Sequence, residues 1–235
     1  MKRLVGTTLS AILLVSLCLA QKSLKPWTEW KEAEAKKLLD NSPWAHTIES
    51  FDAGQESKAT TATNPLATAD ERLNDAVLLT KVRLLSAKPV RQAFLRWVEA
   101  RQKSPNPKLT ESLQKLVEQS YEDWIVIAVQ PEKKDGSVPY NEMTELTKAT
   151  TAGLQAHVWL QTSKGKSERV LLKEYMPPGN DGLGARFIFP RKLNGKEFVV
   201  PENGHLKFHA ELPQRINLEW GFKISDLFYE GKLEY

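Results

Sequence analysis

Residues 205–224 read His205-Leu206-Lys207-Phe208-His209-Ala210-Glu211-Leu212, then Pro213-Gln214-Arg215, then Ile216-Asn217-Leu218-Glu219-Trp220-Gly221-Phe222-Lys223-Ile224. Leu206, Phe208, Ala210 and Leu212 alternate with polar residues, and Ile216, Leu218, Trp220, Phe222 and Ile224 do the same. Successive side chains of a strand point to opposite faces, so a strict period of two predicts strands with one buried and one wet face. The period begins at Gly153, where Leu154, Ala156, Val158 and Leu160 alternate with Gln155, His157, Trp159 and Gln161. Arg169–Tyr175, Arg186–Phe189, Glu197–Val200 and Phe228–Tyr235 predict further strands, with Asn194-Gly195 a hairpin-turn dipeptide. Residues 153–235 are thus expected to form an antiparallel sheet.

Upstream the spacing changes. Residues 27–40, WTEWKEAEAKKLLD, favour a helix that Asn41-Ser42-Pro43 stops, because the residue before a proline is excluded from helical geometry. Residues 21–51 are therefore expected to be an N-terminal helical arm. Residues 52–75 are rich in Ala, Thr, Ser and Asn, with too little to bury to offset the entropy of ordering, and predict a flexible linker. Val77–Leu85 predicts a strand. Pro89 then suits a first helical position, and Val90, Ala93, Phe94, Trp97 and Val98 follow at the spacing of one buried stripe. A second helix is expected after Asn106-Pro107, with Leu109, Leu113, Leu116 and Val117 on one side. Trp124–Val129 is continuously apolar, as a strand buried on both faces would be. A short helix is expected over about 141–150. The predicted class is α+β: the helical arm, a β-α-α-β portion in 76–152, and the antiparallel sheet of 153–235. The last two share one core as a domain of residues 76–235.

The chain opens Met1-Lys2-Arg3, continues as a largely apolar run from Leu4 to Leu19, and turns polar after Ala20. That layout predicts a secretory signal peptide over residues 1–20, cleaved after Ala20, with no transmembrane span left in the mature chain. Lipidation at Cys18 is the competing expectation, although Leu17 sits where lipoprotein signals carry a small residue. Cys18 is the only cysteine, so cleavage leaves 215 residues with neither disulfide nor thiol nucleophile, stabilised by core burial. Without Lys2 and Arg3 the charge falls from +4 to +2, with 31 basic against 29 acidic residues. These are spread along the chain rather than gathered into the basic surface that nucleic acid requires. No nucleic-acid partner is expected.

Chemistry-bearing motifs are sparse. His205 and His209 lie in a strand, roughly 13 Å apart at about 3.3 Å per residue, too far to share an ion unless a neighbouring strand brings His157. No metal and no cofactor are expected. The Pro177–Gly184 loop is glycine-rich but lacks the Lys-Ser/Thr of a phosphate loop, and a strand follows where a helix is needed. There is no Gly-x-Ser-x-Gly elbow, and catalytic residues stay unassigned. The candidate binding residues are His157, Trp159 and Gln161, on the face that the period assigns to solvent. An exposed indole there could stack on a sugar or grip a partner, unless one of the helices covers it.

Five strings belong together: Pro26-Trp27-Thr28-Glu29-Trp30, Ser42-Pro43-Trp44-Ala45, Leu85–Arg91, Pro177-Pro178-Gly179 with Phe187–Arg191, and Gly231–Tyr235. As a set, spanning most of the mature chain, they resemble an uncharacterised family of exported bacterial proteins. The resemblance implies a bacterial source and export, and carries over no site. The expected function is a non-catalytic periplasmic or secreted protein that binds a protein or glycan partner, or supports the cell envelope. The alternative is an envelope hydrolase acting on glycan or peptide through carboxylates or a weak metal site.

Overall fold

A computed structural model describes residues 25–51, 77–104, 106–164 and 168–235. The predicted leader over residues 1–20 and the predicted linker over 52–75 lie outside the described residues. The fold is α+β. In chain order, a 3-10 turn at Trp27–Glu29 leads to α1 (Glu32–Asp40), β1 (Ala45–Phe51), β2 (Val77–Leu84), α2 (Lys88–Arg101), α3 (Pro107–Glu118) and β3 (Trp124–Lys133). Then come α4 (Tyr140–Lys148), α5 (Thr151–Leu154), β4 (Val158–Thr162), β5 (Val170–Leu171), β6 (Glu174–Met176) and β7 (Ala185–Pro190). The remainder is β8 (Lys192–Leu193), β9 (Lys196–Glu197), β10 (His205–Leu212), β11 (Ile216–Lys223), β12 (Phe228–Tyr229) and β13 (Lys232–Leu233).

The strands form a five-stranded antiparallel sheet, β1-β2-β3-β7-β6, a four-stranded antiparallel sheet, β11-β10-β4-β5, and two small hairpins. The large sheet is the middle of three layers. On one face, Ile125, Ile127 and Val129 of β3 stand in register with Phe189, Phe187 and Ala185 of β7. Those two phenylalanines meet Phe208 of β10 edge-on, with ring centroids 5.7 and 6.3 Å apart. At the sheet margin, His46 of β1 stacks on Trp220 of β11 at 3.5 Å, and burial holds the imidazole below its ordinary pKa. The opposite face carries Lys81 and Arg83 of β2 and Gln130 and Glu132 of β3, which line a cavity together with residues of α1 and α2. Hence Ile125–Val129 is buried on both faces, as its unbroken apolar run requires.

Two expectations change. Among the described residues of the predicted arm of residues 21–51, helix is confined to Trp27–Glu29 and Glu32–Asp40, because Ala45–Phe51 pairs along its whole length with β2. Its β-branched Thr47 and Ile48 suit a strand, and the helix that precedes it stops at Asp40. The predicted sheet of 153–235 is also not one sheet. Residues 169–175 change layers: β5 pairs with β4, while β6 joins β7 in the large sheet. Phe228–Tyr235 is a hairpin, turned at Glu230-Gly231 with φ of +51° and +77°.

Helix ends follow local chemistry. The Asn106 side chain accepts a hydrogen bond from the Leu109 N–H at 3.2 Å and caps α3. Arg91, buried in α2, donates to the carbonyls of Leu85 and Ser86 and to those of Val117 and Gln119. One guanidinium thereby ties the entrance of α2 to the negative end of α3. No helix among the described residues is long and apolar enough to cross a membrane.

If the Phe187–Phe189–Phe208 contact holds the two sheets together, Phe208→Ala lowers unfolding stability by about 3–5 kcal/mol. The neighbouring outward Lys207→Ala stays within about 0.5 kcal/mol of wild type. Urea denaturation of both variants checks this.

Candidate functional site

The three residues singled out from sequence do share one surface. Trp159 and Gln161 project from the outer face of β4, opposite His209 and Lys207 of β10, and His157 sits just before the strand. The His157 ring nitrogen Nδ1 lies 3.0 Å from Glu211, which also takes His209 at 3.4 Å. The hydrogen bonds from His157 and then His209 hold the Glu211 carboxyl below its usual range. Trp159 stacks on His209, 3.8 Å between centroids and 21° between planes, while the Arg169 guanidinium lies 4.0 Å from the same centroid. Two groups this close to one centroid must occupy opposite faces of the ring. Both faces of the indole are therefore covered, by neighbours on its own sheet and not by a helix. A sugar stacking there must first displace Arg169 or His209. His205 stays four residues from His209 along β10, and no cluster able to hold a metal ion occurs among the described residues.

Two concave surfaces that share lining residues lie on the other side of the molecule, where helices cover the large sheet. The first is a groove of about 840 Å³ between α2, α3 and the loop before β7. Phe94 and Val98 of α2, Leu109, Leu113 and Leu116 of α3, and Leu183 of the loop supply its apolar lining. Polar groups enter at the loop, at the start of β7 and along the exposed side of α3: Asn180 and Asp181, Arg186, and Lys115 and Glu118. The loop holds its shape through Asp181, which accepts from the Leu183 N–H at 3.0 Å and pairs with Arg186 at 3.0 Å. Gly184 has φ +81°, and a Cβ there would sit 2.4 Å from the Val129 carbonyl oxygen, so this approach to β3 admits only glycine.

The second cavity, about 350 Å³, lies between α1, α2 and the helix-facing side of β2 and β3. Its wall carries Lys36, Lys81, Arg83 and Arg101 against two carboxylates, Asp40 and Glu132. Lys81 bridges the carboxylates, 2.5 Å from Glu132 and 3.5 Å from Asp40. Arg83 is 6% exposed and donates to the Leu39 carbonyl at 2.8 Å and to Gln130 at 3.0 Å, with Asp40 3.6 Å away. Lys36 pairs with Asp40 from the preceding turn of α1. Burial opposes ionisation of Asp40, but the hydrogen bond from Lys36 and the charges of Lys81, Lys36 and Arg83 outweigh it, leaving its carboxyl below the ordinary range. Burial pushes the Arg83 pKa down, against the pull of Asp40 and Glu132. Phe94 and Gly182 belong to the walls of both cavities.

Sequence reasoning assigned the residues of this region to packing. Phe94, Val98, Leu109 and Leu116 read as parts of buried stripes, and the Pro177–Gly184 loop failed the pattern of a phosphate loop. The legible signal was Lys81 and Arg83, two cations at alternate positions of a strand whose other residues are aliphatic apart from Thr80. No protein-family model matches this chain, and searches of curated proteins and of solved structures also return no match.

The ion network makes a prediction about acid. Asp40 has a lowered folded pKa, so its contribution to stability is complete above the unfolded value of about 3.9 and fades as pH falls through the folded value. Asp40→Asn should therefore flatten the acid limb of a stability-versus-pH curve. Arg83→Met should cost about 2–4 kcal/mol at neutral pH, by removing the cation from a buried network. Urea midpoints measured between pH 2 and 7 test both.

Proposed function

We propose that this chain is an exported, non-catalytic binding protein of the periplasm or extracellular space, and that its ligand has an apolar portion lying in the α2–α3 groove. One observation carries the reading: a concavity of about 840 Å³ lined by Phe94, Val98, Leu109, Leu113, Leu116 and Leu183, with polar groups at the loop. Size, apolar lining and a few polar groups are the attributes of small-molecule sites. Apolar surface left open at such a place usually serves an interaction. The leader-like sequence of residues 1–20 and the resemblance to an exported bacterial family support the location.

The hydrolase reading draws no comparable support. A carboxyl acting as a general acid needs a raised pKa. In the polar cavity, Asp40 is held in the opposite direction and Glu132 is paired with Lys81. The covered faces of Trp159 likewise favour the groove over the outer sheet as the place where a ligand lies.

The neutral fluorophore N-phenyl-1-naphthylamine tests the reading. The folded protein should bind it with a blue shift and a rise in emission. Leu109→Glu/Leu116→Glu should weaken binding at least tenfold, because each change puts a carboxylate in the apolar lining. Far-UV circular dichroism and the urea midpoint monitor folding of the variant. Absence of an emission change with the wild-type protein, or equal binding by a folded variant, would overturn the proposal.

A further inference from the structure

The two cavities differ in character and share a partition. The Phe94 ring stands against the backbone of Gly182, where a Cβ would come within 3.8 Å of the ring tip, and both residues face both spaces. On one side the lining is aliphatic and aromatic. On the other, four cations face two carboxylates, and Arg101 meets its own partner, Glu32, at 3.4 Å outside that lining. The wall thus keeps a surplus of positive charge after its internal pairs are counted. Its acceptors are also committed: Asp40 and Glu132 to lysines and Arg83, and the Gln130 oxygen to Arg83. Among the described residues of this wall, the buried side-chain polar atom left without a partner is a donor, the indole nitrogen Nε1 of Trp97. The Arg101 guanidinium lies over that same indole, 5.1 Å from the ring centroid. A wall this rich in cations and donors suits an acceptor that carries negative charge.

From this juxtaposition we infer that the ligand is an anionic amphiphile: its tail lies in the α2–α3 groove and its carboxylate or phosphate head enters the cationic pocket beside Trp97, Lys36 and Arg101. The inference rests on the groove reading above and adds the class of head group. Phe94 and Gly182 line both spaces, so the places for tail and head adjoin at these two residues. Glycine at 182 keeps that partition thin, and its φ of +76° disfavours any larger residue.

The experiment compares molecules with one tail and different heads. Laurate, dodecyl phosphate and 1-dodecanol, each below its micelle or solubility limit, are titrated against bound N-phenyl-1-naphthylamine, and calorimetry follows inorganic phosphate alone. Laurate or dodecyl phosphate should displace the probe at concentrations at least tenfold lower than dodecanol does. In Lys36→Gln/Arg101→Gln, with far-UV circular dichroism and a cooperative urea transition confirming that the variant is folded, that advantage should shrink below twofold while dodecanol is unaffected. Equal displacement by alcohol and anions, failure of all three to displace a bound probe, or an anion preference that survives in the double variant would overturn the head-group inference and leave the groove reading standing. Inorganic phosphate binding as tightly as dodecyl phosphate would make this a free-anion site and overturn the amphiphile. If the probe itself does not bind, both proposals fall.

Discussion

The five residues Ile125–Val129 carry no polar side chain, and all five are buried. A strand of that kind is stable only inside a sheet covered on both faces. One cover is the four-stranded sheet, brought in through Phe208 against Phe187 and Phe189. The other is the helical layer of α1, α2 and α3. Three layers are thus a requirement of β3, and the remaining elements are positioned by the need to complete them. The N-terminal segment belongs to that solution, since it supplies both a helix for the outer layer and the edge strand β1.

The helical cover carries a second constraint. Helices contribute less continuous apolar surface than a facing sheet, and the side of β2 and β3 turned toward them is partly charged. Arg83 resolves this locally by donating to the Leu39 carbonyl at the end of α1, where the helix dipole is negative and a cation is favoured. Arg96 ties α2 to the segment before α1, donating to the Trp30 carbonyl. The far end of the chain closes the assembly. The Trp44 indole N–H donates to the Glu234 carbonyl at 2.9 Å, the Glu234 side chain accepts from the Lys88 backbone at 2.9 Å, and Arg191 donates to the Tyr235 carbonyl at 2.8 Å. Ends of the described chain that are distant in sequence thereby meet at the entrance to α2.

Much of the architecture was legible because periodicity is a local property. The alternation in β10 and β11, the stripe and proline of α2, the asparagine cap of α3 and the apolar run of β3 each announce an element within a dozen residues. Sheet membership is not local. Nothing in residues 169–175 states that Leu171 pairs with Trp159 while Tyr175 pairs with Phe187, because the change of layer is decided by partners far along the chain. The same limit hid the site. Trp159 was rightly placed on the outer face, yet its period could not reveal that His209 and Arg169 close over both sides of the ring. Leu109 and Leu116 obey the same helical spacing as Leu113, and spacing alone cannot say which of them fills a core and which lines an opening.

The location of the cavities follows from the layering. Between the two sheets, large aromatics fill the space, with Phe187 and Phe189 packed on Phe208 and His46 stacked on Trp220. Helices laid on a twisted sheet touch it along lines, so space remains between α2 and α3 and between α1 and the sheet. In a layer built only for stability, large aliphatic side chains at those places would be expected to fill the gaps, because unfilled volume in a core is destabilising. Here the sequence puts Gly182 at the boundary and charged residues along one of the two spaces. The charges have a structural share in that outcome, for Arg83 and Asp40 secure α1 to the sheet. Anchoring of α1 gives less reason for the number of cations along that wall, and the proposed head-group pocket rests on them.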